Sequence, residues 1–135
     1  MSHISTVRYT GNLHNDLTHL QSGDTISTDA PTDNNGKGEA FSPTDLLATS
    51  LSACALTIMG MKAADLGVDL AGARAEVGKE MAANPRRVAK ITVDFYLSAN
   101  LDERSRAVLE AAAHTCPVAK SLSADLVQQF TFHYV

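Results

Sequence analysis

The stretch SPTDLLATSLSACALTIMGMKAADLG, residues 42–67, sets the frame for the whole chain. It opens like the start of a helix. Ser42 can cap the first free N–H groups, Pro43 suits the first helical position, and Asp45 stands where a capping-box acid reaches back. Gly67 can take the left-handed conformation that closes a helix. The spacing therefore predicts a helix over Pro43–Leu66, roughly 36 Å long at 1.5 Å per residue. From Leu46 to Met61 no side chain is charged. That run is short for a membrane span and is interrupted by Thr49, Ser50, Ser52 and Thr57, so a helix buried all round in protein is expected instead. Leu47, Leu51, Cys54, Ile58 and Met61 form one stripe of the helix. Ser50, Ala53, Thr57, Gly60 and Ala64 form a second stripe of small residues that would let another backbone come close. One small domain has few elements with which to surround such a helix. A second copy of the chain about a two-fold axis is the expected partner; a helix wrapped by its own sheet is the alternative.

The flanks supply strands. Upstream, HISTVRY alternates, TGN and QSGD supply turns, and DTIST is a further short β-prone run. DAPTDNNGKGEAFSP, rich in Gly, Asn, Asp and Pro, is either a mobile linker or a functional loop, with the plainer reading slightly favoured. Downstream, ARAEVGKEM alternates, then ANPRR turns the chain. VAKITVDFYL puts Ala89, Ile91, Val93, Phe95 and Leu97 on one face. Asn100 or Asp102 opens a second helix, DERSRAVLEAAAH, and LVQQFTFHYV ends the chain with Phe130, Phe132 and Tyr134 on one face. The order of strands, long helix, hairpin, helix and strand is an α+β pattern with mostly antiparallel pairing.

Composition narrows the function. The 135 residues are 44% hydrophobic and 19% charged, enough for one folded domain over residues 1–135. A net charge of −4 with mixed signs gives no basic stripe for nucleic acid or anionic lipid. The amino terminus has no secretory pattern, so a cytoplasmic, reducing setting is expected, without nucleic-acid or membrane partners. Two cysteines there are too few for a disulfide framework; they read as redox-active, metal-binding or simply buried.

Cys54, in the larger stripe, taken alone is more often a buried structural thiol. Its mid-helix position lies beyond the first turn, where the helix N-terminal field acts. In HTCPVAK, Cys116 precedes Pro117 and would cap a short helix, a setting that favours a thiolate; a plain turn cysteine carries equal weight. His114 and Cys116 form an H-x-C pair, and His14 and His19 fall in the amino-terminal hairpin, which reads as solvated. None of these spacings matches a strong zinc signature, and no phosphate-binding loop or nucleophile elbow is present, so no metal or cofactor is expected.

FSPTDLLATSLSACALTIMGMKA, followed by AAAHTCPVAKSL, resembles the OsmC family, which includes the organic hydroperoxide resistance proteins. The order of elements agrees over nearly the whole chain. The most specific features are the proline-to-cysteine helix and the later Cys-Pro-Val. The resemblance implies an intertwined homodimer, with long central helices wrapped by mostly antiparallel sheets. It also implies a thiol peroxidase: Cys54 attacks a small organic hydroperoxide, Cys116 resolves the sulfenic acid as a disulfide, and an external dithiol reduces it.

Two positions depart from the family pattern. The glutamate that follows the helix-opening proline in family peroxidases, and holds an arginine, is Thr44 here, with Asp45 about 100° further round the helix. In the amino-terminal hairpin, where that arginine is expected, the sequence offers Arg8 and His14. A cysteine-based peroxidase or related redox protein is therefore the leading expectation. A non-catalytic homodimer that binds a small molecule in the same apolar pocket is the competitor.

Overall fold

The structure, a computed structural model, describes residues 2–135 and divides into two compact units, one running to Leu47 and one from Ala48 to Val135. The amino-terminal unit is a three-stranded antiparallel sheet in the order β1 (Ser5–Gly11), β2 (His14–His19), β3 (Thr25–Asp29). The β1–β2 connection is tight because Asn12 and Leu13 both take positive φ, 56° and 60°. Two-residue hairpin turns use this geometry because its twist matches that of the strands. Strand register sorts the side chains by face. Val7, Leu17 and Ile26 lie in one cross-strand row, and Arg8, Asp16 and Ser27 in the adjacent row on the opposite face.

The connector after β3 is neither helix nor featureless linker. A 3-10 turn at Thr32–Asn34 begins it, and its two ends are tied by Asp29 N–H donating to Phe41 O at 3.1 Å. Gly36 N–H and Gly38 N–H close back on Pro31 O and Ala30 O. Only glycine fits at 36, since a Cβ there would meet the Ala30 carbonyl oxygen at 1.6 Å.

The long helix α1 spans Pro43–Leu66, as the capping residues predict. Ser42 Oγ accepts from Asp45 N–H and Asp45 Oδ2 accepts from Ser42 N–H, both at 3.0 Å, so the capping box is reciprocal. At the other end Gly67 has φ +70°, and Val68 N–H reaches Ala63 O at 3.0 Å. That bond, with Gly67 N–H on Ala64 O, satisfies carbonyls that the last turn leaves open.

In the carboxy-terminal unit, β4 (Arg74–Ala82) and β5 (Arg87–Leu97) form the expected hairpin, and β6 (Val127–Tyr134) adds beside β5. The β5–β6 pairing is parallel, the one exception to the antiparallel pattern. A parallel neighbour needs a crossover, supplied by α2 (Glu103–Ala113) and α3 (Pro117–Ser121). Asp102, not Asn100, caps α2 by accepting from Ser105 N–H at 2.7 Å. Ile91, Val93, Phe95 and Leu97 are buried on the inward row of β5. Phe95 stacks on Phe132 with ring centroids 5.0 Å apart and meets Phe130 edge-on at 5.2 Å.

Within one chain only part of α1 is covered. By length and apolar composition α1 could cross a membrane, yet one face, Ala48, Leu51, Ser52, Ala55, Met59 and Ala63, is buried in protein. The stripe that includes Leu47 and Met61 is only partly covered; these two are 39% and 61% exposed. Of the small residues, Ala53, Thr57 and Ala64 are exposed and Ser50 and Gly60 half-buried. The buried face lies roughly opposite the small-residue stripe and meets the large stripe at Leu51. An uncharged run shows no polar side from which to locate it.

Phe95 is the largest fully buried side chain. Phe95→Ala should cost about 3–5 kcal/mol in urea unfolding. A loss under about 1 kcal/mol would place the ring outside the core.

Candidate functional site

The two cysteines come from α1 and from the start of α3, 62 residues apart in sequence, and the fold brings them together. Cys116 is a fully buried member of the core, while Cys54 is half-buried and packs against that core. The Cys54 side chain lies close enough to Cys116 to help raise its thiol, so the two side chains are neighbours.

Cys116 is the N-cap of α3, with extended backbone, and its Sγ accepts from Ala119 N–H at 3.3 Å. The cap geometry is the one its Cys-Pro sequence predicts, but the electrostatic outcome is reversed. Burial pushes the Cys116 thiol up, outweighing the Ala119 and Val118 amides that favour a thiolate, and the neighbouring Cys54 pushes in the same direction as burial. The strongest influences on this sulfur are burial, two backbone amides and Cys54. A helix-end field is short-ranged and a five-residue helix supplies little of it, so desolvation wins. The pair is therefore asymmetric: a reachable thiol beside a buried one that holds its proton.

α1 and α2 leave a groove of about 540 Å³, which neither cysteine lines. Ile58, Met61, Val108 and Ala111 give it an apolar lining, with Lys62 and Asp65 as its charged members. Ile58 lies one turn beyond Cys54, and Thr115, also on the groove, directly precedes Cys116. His114 serves packing: its ring stacks on Phe130 with centroids 4.9 Å apart. Among the described residues no cluster of His, Cys, Asp and Glu is arranged to hold a metal ion.

The other sequence-selected residues lie in the amino-terminal unit. Thr44 and Asp45 belong to the helix start, where Thr44 Oγ1 is 3.1 Å from Ser42 Oγ and Asp45 closes the capping box. Arg8 is exposed on β1, in register with Asp16. His14 is not the solvated hairpin residue that its setting suggests. Its Nδ1 is 2.5 Å from Asp29 Oδ1 and its Nε2 is 3.2 Å from Asp16 Oδ1. The bond to Asp29, with help from Asp16, raises the His14 pKa above the ordinary 6.5, although burial opposes it. The Asp29 carboxyl is held low by the same bond and by Glu39 N–H. Sequence reading missed Asp29 because it is fifteen residues away. The signal that could have found it is the β2–β3 register, which pairs His14 with Asp29.

An α+β chain with a buried thiol capping one helix and a reachable thiol on another is the design of a thiol-pair protein. The comparisons make that class specific. The family model described as OsmC-like protein matches residues 36–129, and this chain belongs to the OsmC family. It is 50% identical to a Psychrobacter arcticus protein provisionally described as an osmotic stress induced and detoxification response protein. That match covers 98% of this chain and 97% of the other, with a TM-score of 0.95. An organic hydroperoxide resistance protein OsmC from Legionella pneumophila shares the fold at 16% identity, with 97% of each chain covered and a TM-score of 0.77. An OsmC-like protein from Mycoplasma pneumoniae does so at 15% identity, with 100% and 98% covered and a TM-score of 0.82. None of the curated proteins matches this chain in sequence.

The asymmetry of the thiols predicts their order of modification. In the native protein at neutral pH, iodoacetamide should label Cys54 well before Cys116, as read by peptide mass spectrometry. Cys116 should react only at strongly alkaline pH or on unfolding. Equal labelling rates would contradict the burial difference.

Proposed function

We propose that the protein is a thiol-dependent hydroperoxide reductase that works as a homodimer, with Cys54 attacking and Cys116 resolving. The observation that carries this reading is the half-buried Cys54 beside the fully buried Cys116. An attacking thiol must be reachable by substrate. A resolving thiol is better kept protonated and shielded until its partner is oxidised.

The Cys54 thiolate takes the terminal oxygen of R–OOH; the O–O bond breaks, and RO⁻ leaves and is protonated to the alcohol. Cys54 is now a sulfenic acid. The Cys116 sulfur displaces its hydroxyl, giving a disulfide and water. An external dithiol restores both thiols by exchange and leaves as its own disulfide. The net change is ROOH + R′(SH)₂ → ROH + H₂O + R′S₂. An apolar groove lined by Ile58, one turn from Cys54, and by Thr115, which precedes Cys116, suits an organic R group better than hydrogen peroxide. Family membership, and the hydroperoxide resistance named for the Legionella relative, support the same chemistry.

Stoichiometric cumene hydroperoxide should give an intrachain Cys54–Cys116 disulfide with the fold retained. Cys116→Ser should leave Cys54 as a dimedone-trappable sulfenic acid, and Cys54→Ser should abolish peroxide consumption. Both thiols remaining unmodified in folded protein would overturn the enzyme reading.

One observation favours the competing reading of a small-molecule-binding homodimer. Thr44 and Asp45 are engaged at the start of α1, with Ser42 as their partner. If so, turnover is slow and the groove serves as a binding pocket.

The dimer rests on the small-residue stripe of α1, which faces away from the core of its own unit. A Cβ on Gly60 would meet nothing of this chain within 4 Å. Gly60→Leu should therefore leave the protomer's helix content unchanged while lowering dimer affinity by tenfold or more, read by analytical ultracentrifugation. A native protein that sediments as a folded monomer at micromolar concentration would sink the dimer.

A further inference from the structure

We propose that His14 and Asp29 form a pH-sensitive latch that fastens the 30–41 loop to the amino-terminal sheet. Both ring nitrogens of His14 face carboxylates, Nδ1 toward Asp29 and Nε2 toward Asp16. Only the doubly protonated imidazolium can donate to both; a neutral ring turns a lone pair on one of them. Asp16 is fixed in turn by Ser27, whose hydroxyl donates to the same Oδ1 at 2.9 Å. Asp29 is the hinge of the device, since its side chain is only 7% exposed and it grips both partners. Oδ1 takes His14, and Oδ2 accepts from Glu39 N–H at 3.0 Å, ten residues along the loop.

Removing the imidazolium proton takes away the positive charge opposite a largely buried carboxylate and leaves it at most a neutral N–H donor. An uncompensated buried charge is costly, and water is the nearest relief. Water reaches Asp29 most directly if Glu39 lifts away. The closures beside it go with that step: Gly38 N–H on Ala30 O is already 3.3 Å long. Packing at Gly36 leaves the loop little room to adjust in place. The charged groups around the latch come from every neighbouring element: Asp16 on β2, Asp29 on β3, Lys37 in the loop, and Arg8 on β1 in register with Asp16.

The sign follows from linkage. The His14 pKa is raised on folding, so its contribution is fully present below the ordinary 6.5 and is lost as pH rises through the folded value. The Asp29 pKa is lowered, so its contribution is lost only as pH falls through its folded value. The latch is closed between these limits and opens on the alkaline side.

The test is NMR of the full chain, following the His14 ring resonances and the Glu39 amide exchange rate, corrected for intrinsic rate, from pH 5.5 to 9. His14 should titrate above 6.5, and Glu39 exchange should accelerate through the same transition while a Val93 control stays flat. The expected gain is about tenfold for each pH unit separating the folded and ordinary values. Asp29→Asn keeps an acceptor for Glu39 but removes the charge, and should make Glu39 exchange independent of His14 titration. Constant Glu39 protection through the His14 transition, or His14 titrating at or below its ordinary value, overturns the latch whether or not the variant folds.

Discussion

The inner face of α1, from Ala48 to Ala63, and the inward row of β5, from Ile91 to Leu97, are fully dehydrated parts of one core. Phe95, held by Phe130 and Phe132, occupies its centre. The parallel placement of β6 beside β5 forces the chain through α2 and α3, and that crossover delivers Cys116 to the same core. Cys54, at the edge of the buried face of α1, is thereby set beside it. The thiol pair is a consequence of the sheet topology as much as of the helix that carries Cys54.

Local signals made much of this legible in the sequence. Ser42, Pro43, Asp45 and Gly67 fix both ends of α1 because capping depends on residues within one turn. The alternation in β5 and β6 identifies their inward faces for the same reason. Partnership between distant segments was less legible. Nothing in LVQQFTFHYV says that it runs parallel to VAKITVDFYL, and nothing in GNLHND says that His14 meets Asp29. The adjacency of Cys54 and Cys116 came from family resemblance, since helical periodicity places a residue on a face but not against a neighbour.

Cys116 shows how a correct local reading can give the wrong electrostatics. Its N-cap geometry and its bond from Ala119 N–H favour negative charge, yet the site is dry enough that the thiol keeps its proton. His14 shows the converse, a polar hairpin residue whose pKa is raised by two carboxylates, Asp16 two residues on in β2 and Asp29 opposite it in β3. In both cases tertiary surroundings, absent from any short window of sequence, decide the sign.

If the two thiols act as one redox unit, equilibration of the protein in buffers of graded reduced and oxidised dithiothreitol is the most direct measurement. The pair should interconvert in a single two-electron step, about 30 mV per tenfold change in the ratio of disulfide to dithiol, with loss of both thiols together. Two independent thiol losses, or a protein that stays fully reduced in strongly oxidising buffer while folded, would contradict the account and leave Cys54 and Cys116 as core packing.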